Sequence, residues 1–174
     1  MLRRGWKMKF CFVILFGLLV GSGDAQQVDE ATTWYVVRHA DRDGSQDALT
    51  QAGVKRSERL ADVMDVLGVT DIYSTDTWRT RETAQPTATR LSLPVNLYGE
   101  LSESWFEALK KKHAGDVVLL VGHSNTVDRL VAGLGGKGDF SVADDEYDSL
   151  FIVSTEGRSA RALRVHFGAD KGRQ

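Results

Sequence analysis

Two short apolar runs restrict this chain to an α/β fold more strongly than any other feature of its sequence. Residues 34–37 read WYVV and residues 117–121 read VVLLV, and both are rich in β-branched residues. Apolar runs without polar alternation are typical of strands that are covered on both faces, as in a parallel sheet. A helical pattern follows each run. We therefore predict a three-layer α/β/α sandwich with a largely parallel central sheet.

The rest of the chain supplies the alternating elements that such a sandwich needs. A helix is predicted from Thr50, its N-cap, to a stop at Gly68, and a second helix contains Pro86, which should kink it or split it. Residues 150–153 and 162–167 predict a hairpin of two further strands at a sheet edge.

The N-terminus has the pattern of a secretory signal peptide. Four basic residues precede an apolar run at residues 10–20, and small residues then lead to Ala25. The run is too short for a bilayer, which needs about 20 apolar residues. We therefore expect cleavage after residues 1–25 rather than an uncleaved anchor. The predicted mature protein is a single domain at residues 26–174, periplasmic or secreted and without stable membrane insertion.

Composition excludes several classes of function. The one cysteine, Cys11, lies within the predicted signal peptide, so the mature chain has no disulfide, cysteine nucleophile or cysteine metal site. Removing residues 1–25 leaves 18 basic and 23 acidic residues, a net charge of −5, which argues against nucleic-acid binding. The acidic run at residues 144–146 lacks the spaced ligands of a calcium loop and is expected to be a solvated turn. We expect neither a metal nor a cofactor.

Arginine and histidine residues follow the predicted parallel strands. Arg38 and His39 follow the first run, Arg79 lies where the second helix begins, and His123 follows the run at residues 117–121. Ligands of α/β sheets bind beyond the carboxyl ends of the strands, so these side chains should share one crevice. Arginines and helix N-termini bind phosphoryl oxygens, and an imidazole can attack phosphorus directly.

Four sequence segments together resemble one known family. They are Arg38-His39-Ala40, residues 49–53 (LTQAG), residues 73–84 (YSTDTWRTRETA) and residues 121–125 (VGHSN). In this order they closely resemble the histidine phosphatase superfamily, also called phosphoglycerate mutase-like. The resemblance spans about residues 33–154 and implies the phosphoglycerate mutase-like fold.

The resemblance also implies a role for each matching residue. His39 would be the nucleophile that accepts the phosphoryl group, and Arg38 and Arg79 would hold its oxygens. His123 would complete the pocket, and Asn125 would help to close it.

The general acid is the part of the family pattern that this chain lacks. Phosphomonoesterases of the superfamily carry a Glu or Asp in a long insertion after the third strand, whereas this chain has only residues 96–104 there. A leaving alkoxide needs a proton, so an enzyme that cleaves esters requires such an acid. We choose Glu100 as the predicted acid, with Glu103 beside it in the same window. Asp41 and the run at residues 144–146 are more distant alternatives.

These observations predict a phosphatase that hydrolyses a phosphomonoester or a phosphoramidate through a phosphohistidine on His39. The short window resembles the compact phosphohistidine phosphatases, which act on cytoplasmic signalling proteins, whereas the signal peptide favours a small phosphorylated substrate of the cell envelope. A phosphomutase using the same pocket and a non-catalytic phosphate or phosphosugar binding protein remain as alternatives. The oligomeric state stays open.

Overall fold

The structure is a computed structural model that describes residues 30–44 and 46–167. The predicted signal peptide lies outside these ranges. Within them, the elements in chain order are β1 (Thr32–Arg38), α1 (Gln51–Val66), β2 (Asp71–Thr75), α2 (Trp78–Leu91), β3 (Val95–Tyr98), α3 (Glu103–Lys112), β4 (Val117–Gly122), α4 (Ser124–Gly133), β5 (Ser149–Glu156) and β6 (Ser159–His166). None of the helices in these ranges is long and apolar enough to cross a membrane.

The strands form a six-stranded sheet in the order β3-β2-β4-β1-β5-β6. The first four are parallel to their neighbours, whereas β5 runs antiparallel to β1, and β6 pairs with β5 as a hairpin at the edge. In the central pair, Arg38 is the register partner of Gly122. The residues that follow β1 and β4 therefore leave the sheet side by side, as the sequence predicts.

Helices cover both faces of the sheet and produce two hydrophobic clusters. Trp34 and Val36 of β1 point into the cluster that includes residues of α3 and α4. Tyr35 and Val37 point into the cluster that includes residues of α1 and α2. Successive side chains of a strand point to opposite faces. Because the four consecutive residues 34–37 of β1 are all buried, this strand must be covered on both sides. The predicted three-layer sandwich is confirmed.

The ends of α1 follow the predicted chemistry, and α2 departs from it in one respect. Thr50 is the N-cap of α1, and its Oγ1 accepts the N–H of Gly53 at 3.1 Å. Gly68, which follows the C-cap, has φ of 70°. However, α2 is unbroken through Pro86, so the alternative of two helices is wrong. Proline removes only one N–H donor from the helix, and the packing of α2 along α1 keeps the remaining turns helical.

Candidate active site

A cavity of about 510 Å³ lies beyond the carboxyl ends of β1 and β4. Its position is the one that parallel topology predicts, because the chain leaves both strands at this edge of the sheet. The cavity is lined by Arg38, His39, Arg42, Gly44, Arg79, His123, Ser124, Asn125, Asp144 and Tyr147. It therefore brings together five of the six predicted site residues and leaves out Glu100.

The buried imidazole of His39 is held in one tautomer. Its backbone N–H donates to the carbonyl of Gly122 at 2.9 Å, and its Nδ1 lies 2.8 Å from the carbonyl oxygen of Ala40. A carbonyl oxygen can only accept, so Nδ1 carries the proton and donates it. The Nε2 atom of neutral His39 consequently keeps its lone pair. A nucleophile requires a free lone pair of this kind.

The second histidine of the site, His123, has the opposite tautomer. Its Nδ1 lies 3.1 Å from Nη2 of Arg79, and its Nε2 lies 2.8 Å from Oγ1 of Thr75. A guanidinium can only donate, so Nδ1 of His123 accepts, and the Nε2–H of the neutral ring donates to Thr75. The two imidazole rings lie edge to face, with 5.5 Å between their centroids. Arg79 and Thr75 thereby fix the orientation of His123 beside His39.

Burial keeps both histidines uncharged at neutral pH. Burial is the main reason that the pKa of His39 is lowered to about 4; the Arg38 and Arg79 guanidiniums also act to lower it, and the hydrogen bond to Ala40 opposes the change. Burial and then Arg79 lower the pKa of His123 to about 4 as well. A neutral imidazole is the nucleophilic form, so the site holds its candidate nucleophile ready at pH 7.

The guanidinium of Arg79 lies between His123 and an acidic side chain of the loop before α1. Its Nη1 contacts a carboxylate oxygen of Asp47. The other Asp47 oxygen accepts the N–H of Trp78, the first residue of α2, at 2.8 Å, and this bond lowers the pKa of Asp47. Glu82, three residues after Arg79 in α2, instead accepts the backbone N–H of Leu49 at 2.8 Å.

Arg38 fixes the loop that precedes β5, a contact that the sequence does not predict. Its Nη1 donates to the carbonyls of Ala143 at 2.8 Å, Asp144 at 2.9 Å and Glu146 at 3.1 Å. Its guanidinium also lies 4.2 Å from the ring centroid of Tyr147. Arg38, directly before His39, therefore holds this loop against the cavity, where Asp144 and Tyr147 line one wall, while Asp144 and Asp145 form the exposed turn that the sequence predicts.

The predicted acid Glu100 lies outside the cavity, and the sequence analysis did not identify some of the residues that line it. Glu100 and Glu103 are exposed and do not line the cavity, whereas Asp144 does. Arg42 also lines it, and the sequence signal for that residue was a second arginine four positions after Arg38. Tyr147 carried no comparable signal, because its place depends on the contact between Arg38 and the distant loop.

Two groups of side chains outside the cavity have ligand atoms close enough to hold a metal ion. One is Asp71, His113 and Asp116, and the other is Glu146, Asp148 and His166. In the first group, Nδ1 of His113 lies 2.9 Å from Asp116, and its Nε2 lies 2.8 Å from the hydroxyl of Tyr73. These bonds satisfy both ring nitrogens of His113, which is buried at the end of α3.

Comparison with known proteins agrees with this geometry. A family model described as histidine phosphatase superfamily, branch 1, matches residues 34–108. This segment contains Arg38, His39 and Arg79, and β4 brings His123 beside them. The matched part of the chain therefore resembles the histidine phosphatase superfamily. A search of curated proteins finds no match to its sequence.

Solved structures share the fold of this chain at low sequence identity. A protein named as the phosphohistidine phosphatase SixA from Agrobacterium tumefaciens is 21% identical with a TM-score of 0.54, over 79% of this chain and 98% of that one. The mycobacterial glucosyl-3-phosphoglycerate phosphatase is 16% identical with a TM-score of 0.63, over 81% and 100%. A phosphoserine phosphatase from Entamoeba histolytica is 15% identical with a TM-score of 0.54, over 80% and 98%. At these identities the likeness concerns the fold.

Proposed function

We propose that this protein is a phosphatase of the histidine phosphatase superfamily that transfers a phosphoryl group to Nε2 of His39 and then to water. The observation that carries the proposal is the hydrogen bond from Nδ1–H of His39 to the Ala40 carbonyl. It fixes the tautomer in which Nε2 is unprotonated, in a residue that lines the cavity. Enzymes that form covalent intermediates need a nucleophile activated in this way.

The charges around the cavity support phosphoryl transfer. Arg38, Arg42 and Arg79 line it together with His123. In the transition state, negative charge is spread over the equatorial oxygens of the phosphoryl group, where fixed positive groups stabilise it. Within the described part of the chain, Arg42 has no hydrogen-bond or ion-pair partner for its guanidinium. It is therefore available to an incoming phosphoryl oxygen.

The proposed substrate is a small phosphomonoester or phosphoramidate. The structural neighbours named above are phosphatases of phosphohistidine, a phosphorylated glycerate and phosphoserine, which supports a phosphorylated compound. Residues 99–102 connect β3 to α3 directly, so in this chain no long insertion after β3 contributes to the site.

The enzymatic test is hydrolysis of p-nitrophenyl phosphate and phosphoramidate by residues 26–174. Wild type should hydrolyse at least one of the two compounds, and His39→Ala should lower the rate by at least about a thousandfold, since the covalent route is lost. His166→Ala, an exposed histidine outside the cavity, is the matched control and should retain the activity. Phosphate binding without turnover of either compound would indicate the non-catalytic alternative.

We further propose that the protein acts outside the cytoplasm. The support is the basic and apolar pattern of residues 1–25. The test is expression of the full chain in a bacterial host, followed by fractionation and N-terminal sequencing. The mature protein should begin at Gln26 in the periplasm or medium, whereas residues 26–174 expressed alone should stay in the cytoplasm. An uncleaved chain in the cytoplasm would contradict this proposal.

A further inference from the structure

The superfamily pattern predicts an acid after β3, where this chain has no side chain that reaches the cavity. Of the described residues that line the cavity, Asp144 alone carries a carboxyl group. It belongs to the loop before β5, far in sequence from the window that contains Glu100. We propose that Asp144 is the general acid that protonates the leaving group, so that the enzyme cleaves unactivated alkyl and sugar phosphates. This inference rests on the proposed function.

The backbone of Asp144 is fixed relative to the nucleophile. Its carbonyl and those of Ala143 and Glu146 accept hydrogen bonds from the same nitrogen of Arg38, the residue directly before His39. Stacking of Tyr147 against the Arg38 guanidinium holds the other end of the loop. A general acid must be positioned within hydrogen-bond reach of the departing atom. The contacts of Arg38 supply this positioning.

Asp144 lies on the solvent side of the cavity, toward which the proposed leaving group would depart. His39 is 2% exposed and forms the floor of the cavity, whereas Asp144 is exposed at its rim. The attacking and leaving atoms are roughly in line in phosphoryl transfer, so attack from a buried Nε2 expels the leaving oxygen outward. Asp144 Oδ1 also lies 3.5 Å from Oγ of Ser124, the residue after His123. This contact places the carboxyl group next to the residue that follows His123.

The proton and electron balance closes with these groups alone. As Nε2 of His39 bonds to phosphorus, the P–O ester bond breaks and its electron pair stays on the leaving oxygen. That oxygen takes the proton of the Asp144 carboxyl group and departs as an alcohol. The Asp144 carboxylate then accepts a proton from the water that attacks the phosphohistidine. Inorganic phosphate leaves, and His39 recovers its lone pair.

The test compares leaving groups in the full mature protein. Asp144→Asn should lower kcat/KM for ethyl phosphate by about 100-fold to 1,000-fold, because general acid catalysis contributes about this much. For p-nitrophenyl phosphate, whose nitrophenolate departs without a proton, the change should be within about threefold. Asp145→Asn, an exposed neighbour that does not line the cavity, should change neither rate.

Three results would overturn the assignment. Equal losses for both esters in Asp144→Asn would indicate a structural or binding role, and no loss for either would mean that Asp144 takes no part. A loss for ethyl phosphate in Tyr147→Phe but not in Asp144→Asn would assign the acid to the tyrosine. If the wild type hydrolysed neither p-nitrophenyl phosphate nor phosphoramidate, the proposed function itself would be contradicted. That outcome is distinguishable from the three above, in which the wild type is active.

Discussion

At the scale of single residues, the site depends on protons held at defined ring nitrogens. Each histidine has one nitrogen whose partner sets the tautomer, the Ala40 carbonyl for His39 and the Arg79 guanidinium for His123. The sequence could predict which residues meet, because they directly follow strands and precede helices. It could not predict the tautomers or the Arg38 contacts. Those hydrogen bonds join Arg38 to carbonyls more than a hundred residues away.

The lowered histidine pKa values predict activity far into the acid range. His39 must be neutral to attack, and its pKa is lowered from 6.5 to about 4. The kcat/KM for p-nitrophenyl phosphate, corrected for ionisation of the substrate, should therefore fall only as the pH decreases through about 4. A pH–rate profile of the wild type measures the pH at which kcat/KM falls. A decrease in kcat/KM centred near pH 6.5 would contradict the lowered pKa of His39.

The same pKa values predict how stability depends on pH. The folded pKa of each histidine lies below its unfolded value of about 6.5, so protons bind the unfolded chain more readily. The contribution of His39 and His123 to stability is complete above pH 6.5 and is lost as the pH falls toward 4. Denaturant unfolding at pH 7 and pH 4.5 measures this loss, which His39→Ala should reduce. An equal loss in wild type and variant would contradict the burial argument.

The contact between Asp47 and Arg79 predicts competition with phosphate. The Asp47 carboxylate contacts the Arg79 guanidinium and the N–H of Trp78, donors that a phosphoryl group at the start of α2 would use. Asp47→Asn removes this negative charge, so inorganic phosphate should inhibit about twofold to fivefold more strongly, as expected for an exposed ion pair. Asp76→Asn, whose partner Arg81 lies outside the cavity, is the control. Weaker inhibition in Asp47→Asn would show that Asp47 instead holds Arg79 in place.

At the scale of elements, helices and loops position the site from opposite sides of β1. The Oγ1 of Thr83 in α2 accepts the N–H of Ala40 at 2.9 Å and donates to the Arg79 carbonyl at 2.7 Å. This links Ala40, the residue after the proposed nucleophile, to the helix that carries Arg79. Boundaries of α1 could be predicted from Thr50 and Gly68, because caps are local. The place of residues 143–147 could not, because distant contacts with Arg38 determine it.

The close approach of α1 to the loop after β1 predicts a large effect of a small substitution. A Cβ atom at Gly53 would lie 2.1 Å from the carbonyl oxygen of Asp41, which accepts the N–H of Thr50. Gly53→Ala should lower the free energy of unfolding by about 1–3 kcal/mol, because the backbone must move to make room. Gly99→Ala, where the added Cβ meets no atom within 4 Å, is the control in denaturant unfolding. Similar values for both variants would contradict the packing argument.

At the scale of the whole molecule, the candidate site residues lie together at one edge of the sheet. The parallel register of β1 with β4 places His39 and His123 together, and α2 adds Arg79 beside them. The fold class and this meeting point could be predicted from apolar runs and the residues after them. The proposed acid could be given only as a more distant alternative, because the superfamily pattern places the acid after β3, whereas the carboxyl group lining this cavity comes from the loop before β5.

The most direct test of the central claim is to trap the phosphoryl group on the enzyme. A single-turnover reaction with p-nitrophenyl phosphate, quenched in alkaline denaturant and analysed by tandem mass spectrometry and phosphorus NMR, locates the label. We predict one phosphoryl group on Nε2 of His39 and none in His39→Ala. A label on His123, or turnover without any labelled histidine, would contradict the phosphohistidine mechanism.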